Sequence, residues 1–176
     1  MLYTTHYASP LGALLLVCDN DGLTHLAFAQ QKYFPNLAAS QKAPDHPILT
    51  LTRRWLDSYF TGTAPDFTPP LHASGSEFQR AVWQLLLAIP YGETTTYGVL
   101  AKEIARRQNR ARMSAQAVGG AVGRNPIGII VPCHRVVGTN GSLTGYAAGL
   151  DKKIALLALE GIDTTRFFRP KKGTAL

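Results

Sequence analysis

Residues 114–126 read "SAQAVGGAVGRNP", and the reading of this stretch decides what the rest of the chain must be. Ser114 is of the type that caps a helix N-terminus, and Pro126 lies where a helix has already stopped. Between them Gly119, Gly120 and Gly123 each cost a helix roughly 1 kcal/mol relative to alanine. A helix so poor in side chains makes sense where something comes close to its backbone. A second packed helix would satisfy that condition, and so would DNA. Just upstream, "TTYGVLAKEIARR" (residues 95–107) sets Tyr97, Leu100, Ala101, Ile104 and Ala105 on one helical stripe, and the basic linker "RQNRAR" leads on from it. Two short helices joined by a turn, the second small-residued and set among arginines, predict a helix-turn-helix.

Further outward the pattern stays helical on this side. "SEFQRAVWQLLLAIP" (residues 76–90) places Phe78, Val82, Leu85, Leu86 and Ile89 on one face, with Ser76 as cap and Pro90 as stop. The beginning of the chain differs. "GALLLVCD" and "LTHLAFAQ" are apolar runs joined by the turn-rich "DNDG", which predicts a hairpin, and "PILTLTRRWLDSYFTG" predicts an amphipathic helix ending at Gly62. The proline-rich "TAPDFTPPLHASG" predicts a boundary, giving an N-terminal domain at 1–72 and a C-terminal domain at 73–176.

With 45% hydrophobic and 16% charged residues the chain reads as globular, and no apolar stretch reaches the length of a membrane span. No signal-like N-terminus is recognisable, and the two cysteines, Cys18 and Cys133, read as free thiols of a cytoplasmic protein. The net charge of +7 is uneven: residues 1–72 hold four basic and five acidic residues, residues 73–176 fourteen and six. Positive potential therefore concentrates in the half with the helix-turn-helix pattern, where a polyanion such as nucleic acid would bind.

The same half contains "IIVPCHRVVG" (residues 129–138). A thiol is a soft nucleophile, but only as thiolate, and a free cysteine is mostly protonated at neutral pH. A neighbouring histidine can take the proton and a carboxylate can orient the histidine. His134 follows Cys133 directly; on a strand the two would point to opposite faces, so a turn or a bridging water is needed.

"PCHRV" after "IIV" resembles the active-site signature of the O6-alkylguanine-DNA alkyltransferases. "SPLG", "YGETTTYGVLA", "AVGGAVGRNP", "GYAAGL" and "LLALEG" follow the order of that family, densely from Ser76 to Gly161. The resemblance implies an α+β fold: a small mixed α/β, ribonuclease H-like N-terminal domain and a helical winged-helix C-terminal domain. It implies repair of O6-alkylguanine, and of O4-alkylthymine, in double-stranded DNA. The base is flipped out and its alkyl group passes irreversibly to Cys133, once per molecule, with no cofactor and no metal.

By the same resemblance, His134 activates the thiol through a water, Glu160 orients His134, and Tyr97 protonates the leaving guanine. Val136 supplies a carbonyl with Cys133, while Tyr146, Ala147 and Ala148 line the pocket and Asn125 braces the second helix. Ala115, Gln116, Ala117 and Gly119 face the minor groove, with Arg112 and Arg124 as further DNA contacts and Arg135 as a structural residue or a DNA contact facing a phosphate. A monomer in solution, able to gather in copies on DNA and without membrane attachment, is expected.

Three departures stand out. Gln116 occupies the position on the second helix where the family places an intercalating arginine, and the linker before it is longer than usual. Ala148 replaces a glycine of members open to bulky inhibitors. Cys18, His25 and His72 fall near a zinc set of some members but lack its second cysteine. Two other readings are a lesion binder without chemistry, which in such relatives lacks the cysteine, and a Cys-His hydrolase, for which no oxyanion-hole signature is present.

Overall fold

The computed structural model describes residues 1–171. The chain is α+β and divides into two compact units, 1–74 with 126–130, and 75–125 with the residues from 131 onward. The stretch 126–130 is thus an exception to a single cut of the chain.

In the first unit, β1 (Leu2–Ser9), β2 (Gly12–Cys18) and β3 (Leu23–Phe28) form an antiparallel meander, and β4 (Ser40–Lys42) pairs parallel to β1. The predicted hairpin is β2–β3, turned at Asp19, whose carboxylate accepts from the N–H groups of Asp21 and Gly22. The outer side of β3 does not stay open. Leu23 exchanges backbone hydrogen bonds with Pro70 and His72, and Leu26 with Pro126 and Gly128. Two short segments therefore close an edge that would otherwise present unpaired N–H and C=O groups, and the second brings 126–130 into this unit.

Helix α1 (Pro47–Phe60) covers the sheet with Leu49, Thr52, Leu56 and Tyr59 fully buried. Proline at the first helical position needs no N–H there. The helix ends as predicted at Gly62, whose φ of +82° suits glycine.

The second unit begins with α2 (Glu77–Leu87), held at its start by a reciprocal box in which Ser76 accepts from Gln79 N–H and the Gln79 side chain accepts from Ser76 N–H. β5 (Thr95–Thr96) leads into α3 (Tyr97–Arg107), capped by Thr96. Then comes α4 (Ala115–Gly123), capped by Ser114. α3 and α4 are the predicted helix pair, and α2 packs on both. Trp83 ties α2 to α4 by donating Nε1–H to the Ala121 carbonyl at 2.9 Å.

Residues 133–135 form a single 3-10 turn, followed by β6 (Val136–Val137), which pairs parallel to β5. Helix α5 (Leu150–Leu159) closes the unit over a core of Val137, Leu143, Leu157 and Ile162. Among the described residues, no helix is long and apolar enough to cross a membrane.

Candidate active site

Cys133 opens the 3-10 turn and is partly exposed, while the next two residues, His134 and Arg135, are buried. A turn is what adjacent cysteine and histidine side chains need in order to serve one site, since a strand would send them apart. The Asn125 side chain hydrogen-bonds the thiol and also donates Nδ2–H to the Val131 carbonyl at 2.8 Å. Asn125 lies two residues beyond α4, so one side chain links the end of that helix to the segment bearing the cysteine.

Behind the cysteine lies a closed charge network. His134 Nε2 stands 2.7 Å from Glu160 Oε1, with both side chains fully buried. Glu160 caps the C-terminus of α5 and also accepts from Arg135, through Nε at 2.9 Å to Oε2 and through the terminal nitrogen at 2.9 Å to Oε1. The Gly92 N–H adds a further donor at 3.1 Å, and Arg135 spends its other terminal nitrogen on the Ile89 carbonyl at 2.7 Å. Every acceptor site of the buried carboxylate is thereby engaged, which is the condition under which a buried charge is tolerated.

The electrostatics follow from these contacts. Burial alone would raise the Glu160 carboxyl, but the hydrogen bonds from His134 and Arg135 outweigh it and hold it at about 2. Burial lowers His134 despite that carboxylate, so the imidazole is neutral at pH 7. With Nε2–H donated to Glu160, Nδ1 is the basic nitrogen of the ring. Burial pushes the Cys133 thiol up, and the Asn125 hydrogen bond, the Lys153 ammonium and nearby backbone N–H groups recover only part of the shift. The resting cysteine is therefore a thiol that requires a base to react.

Lys153 was not singled out by the sequence. It sits on the inner side of α5 with no exposed surface, donating to the carbonyls of Val136 at 2.6 Å and Thr144 at 3.0 Å. Burial lowers it to about 8, with the neighbouring Cys133 opposing. The Thr144 carbonyl also accepts from the Tyr97 hydroxyl at 3.3 Å, and burial raises that phenol to about 12. Lysine, tyrosine and the 144–148 loop are thus joined through one oxygen. Tyr146, in that loop, is raised by burial and then by the electrostatic influence of Cys133 and Glu160.

Two family models match this arrangement. Residues 2–73 fit the ribonuclease-like domain of 6-O-methylguanine DNA methyltransferase, and residues 77–162 fit its DNA-binding domain. The chain belongs to the 6-O-methylguanine DNA methyltransferase family. Among its relatives in this family, the methylated-DNA–protein-cysteine methyltransferase of Haemophilus influenzae is 44% identical, over 92% of this chain and 87% of the relative. That of Methanosarcina acetivorans is also 44% identical, over 91% and 99%. The fold is close to that of Mycobacterium tuberculosis OGT crystallised in complex with DNA, with a TM-score of 0.80 and 41% identity over 94% of both chains.

Within this methyltransferase frame, the expected site residues fall into groups. His134 is joined to Glu160, Cys133 to Asn125, and Tyr97 to Val136 through Thr144 and Lys153; Tyr146 is within electrostatic influence of Cys133 and Glu160, and Ala147 and Ala148 follow it as half-buried positions. On the helix pair, Gln116, Ala117, Arg112 and Arg124 are exposed and Ala115 is partly so.

Two expected DNA contacts require correction. Arg135 is 7% exposed with its guanidinium spent on Glu160 and Ile89, which is the structural of its two expected readings and leaves no free donor face for a phosphate. Gly119 lies on the buried side of α4 with Val118, Ala121 and Val122. The open small positions are instead Gly120 and Gly123, where an added Cβ would meet nothing within 4 Å. Packing inside the chain thus makes no demand for glycine at either.

The N-terminal histidines disperse. Cys18 lies 3.3 Å from His46, His25 contacts Thr24, and His72 pairs with Asp19 at 2.6 Å. Among the described residues, the side chains that come within ligating distance of one another are Asp19, Asp21 and His72, exposed near the β2–β3 turn.

Proposed function

We propose that this protein repairs O6-alkylguanine, and O4-alkylthymine, in duplex DNA by taking the alkyl group irreversibly onto Cys133. The observation that carries this reading is the three-residue turn in which the thiol is followed at once by a neutral His134 bonded to a buried carboxylate. No cofactor enters the scheme.

The reaction closes on residues of this chain. The Cys133 proton passes towards His134 Nδ1, with Glu160 and Arg135 holding the ring and stabilising its charge. The sulfur attacks the alkyl carbon in line, so that the S–C bond forms as the C–O6 bond breaks and its electron pair stays with the base. The Tyr97 hydroxyl supplies a proton to guanine N3, neutralising the leaving group; solvent then takes the proton from His134, reprotonates Tyr97 and moves the base proton from N3 to N1. The products are an S-alkylcysteine and an unmodified guanine. A thioether has no easy route back to thiol, so each molecule acts once.

The carbonyls of Cys133 and Val136 receive the guanine amino group, and the latter is fixed by Lys153. Tyr146, Ala147 and Ala148 surround the alkyl group. A base inside the helix cannot reach a partly buried thiol, so the lesion is rotated out of the stack. α4 enters the minor groove through Ala115, Gln116, Ala117 and the open positions Gly120 and Gly123, where backbone-level approach is possible. Arg112 and Arg124 add phosphate attraction. The protein acts in the cytoplasm as a monomer, with copies able to gather along damaged DNA, and the chain folds as two domains dividing near residue 72.

A duplex bearing one O6-methylguanine, digested to nucleosides after incubation, tests the reading. Wild type is expected to convert the lesion to guanine one-for-one, whereas Cys133→Ser retains binding and leaves it. Equal lesion loss with both proteins, or none with wild type despite binding, would overturn it, the latter in favour of a lesion binder.

A further inference from the structure

Beside α4 the second unit has a cavity of about 500 Å³ between α3 and the linker that follows it. Its size falls within the range of ligand pockets. Its rim carries Lys102, Arg106, Arg110 and Arg112, and no acidic residue lines it. Its floor is made of small residues, among them Ala101 and Ala105.

The backbone imposes this gathering of charge. Lys102 and Arg106 are four apart on α3 and so share a face. At the end of α3 the chain reverses: Asn109 takes a φ of +53°, Asn109 N–H bonds to the Arg106 carbonyl, and Arg110 N–H bonds to the Ala105 carbonyl. That paired motif closes the helix and folds the linker back, so that Arg110 and Arg112 meet the other two cations. Only Arg106 is compensated, by Glu103, which it shares with Arg107. Among the described residues, Lys102, Arg110 and Arg112 take part in no ion pair. The three uncompensated cations, Lys102, Arg110 and Arg112, repel one another until an anion enters the hollow.

We infer that this cavity is a site for the sugar–phosphate backbone of DNA, gripped by Lys102, Arg106, Arg110 and Arg112. Phosphates meet the rim and the deoxyribose rests on the alanine floor. Four cations on one rim can meet successive phosphates of a strand, which a single phosphate would not. Ala115, the first residue of α4, lines the same cavity. Backbone held there lies beside the helix that carries Gln116, and the site supplies the charge that glutamine at that position does not. This inference rests on the DNA-repair reading.

The test is the salt dependence of binding to an undamaged fluorescent duplex, comparing wild type, a Lys102→Ala/Arg110→Ala double variant, and Lys42→Ala as a charge control on the other unit. Each phosphate contact contributes about 0.9 to the slope of log affinity against log salt. The double variant is expected to lose about two from that slope and roughly tenfold in affinity, while Lys102→Arg/Arg110→Lys keeps the slope. Lys42→Ala should leave it unchanged.

Methyl transfer to Cys133 at saturating lesion-bearing duplex, read by mass, separates the two claims. A reduced slope with wild-type transfer at saturation supports the site. An unchanged slope in the double variant, or one reduced equally by Lys42→Ala, overturns the site while leaving repair intact. A reduced slope in a protein whose wild type never gains a methyl supports the site and overturns the repair reading.

Discussion

The Glu160 carboxylate binds His134 and Arg135 together, at 2.7 Å and 2.9 Å, inside a shell that excludes water. The arginine holds the carboxylate ionised, the carboxylate fixes the imidazole, and burial keeps the imidazole neutral. A base that is both neutral and oriented results, immediately after a thiol that is protonated at rest.

Glu160→Gln should therefore lower both activity and stability. Losing one partner of a buried ion network costs about 3 kcal/mol or more, because Arg135 remains charged and uncompensated. The wild-type carboxyl is held at about 2, below its ordinary 4.5. Its contribution is therefore fully present above pH 4.5 and is lost as pH falls from there towards 2. Urea denaturation from pH 7 to pH 3 should show a steeper loss of stability in wild type than in Glu160→Gln. Alkyl transfer by the variant should fall at least tenfold, since the imidazolium loses its counter-charge.

Lys153→Met removes the donor shared by the Val136 and Thr144 carbonyls. Affinity for undamaged duplex should change little, and the transfer rate at saturating DNA should drop roughly tenfold or more, as when a group that orders a pocket is lost. The lysine is lowered from 10.5 to about 8. Between those values the unfolded chain binds the proton that the folded chain has released, so the burial penalty, complete below pH 8, is relieved as pH rises to 10.5. The stability of wild type relative to Lys153→Met should accordingly improve from pH 8 to pH 10.

Gln116→Arg restores charge and reach to the first turn of α4. Affinity for undamaged duplex, read by anisotropy, should rise several-fold with a salt slope steeper by about one. Repair at limiting DNA should accelerate. A variant no better than wild type in both respects would show that glutamine is sufficient at that position.

Ala148→Gly removes a methyl group from the loop after Tyr146. O6-benzylguanine as free base should react with Cys133 several-fold faster in the variant, while methyl transfer from DNA stays within twofold, because one methylene-sized obstruction discriminates by about 1–3 kcal/mol at most. Competition between the two substrates, followed by mass, measures the ratio.

The helices were legible where capping and period agreed. Ser76, Thr96 and Ser114 cap α2, α3 and α4, and the predicted stripe of α3 is its buried face. β1 was not legible, because "LYTTHYAS" is mostly polar and only Thr4 is buried in it. The pairing of a cysteine with a histidine was legible from "PCHRV", since the two are neighbours in the chain, and the structure sets them on one 3-10 turn. Lys153 and Arg135 were not: such side chains ordinarily lie at the surface, and only tertiary packing decides that these two are enclosed. The face of α4 to which Gly119 belongs could have been read from Val118, Ala121 and Val122, which set the phase of the helix.

The central claim is that the Cys133 thiol is consumed. Intact-mass measurement after mixing the protein with excess duplex carrying one O6-methylguanine tests it most directly, with peptide mapping of the product. One added methyl per molecule is expected, on Cys133, absent in Cys133→Ser and not exceeded on longer incubation. Repeated turnover without added mass, or a methyl group on any other residue, would contradict it.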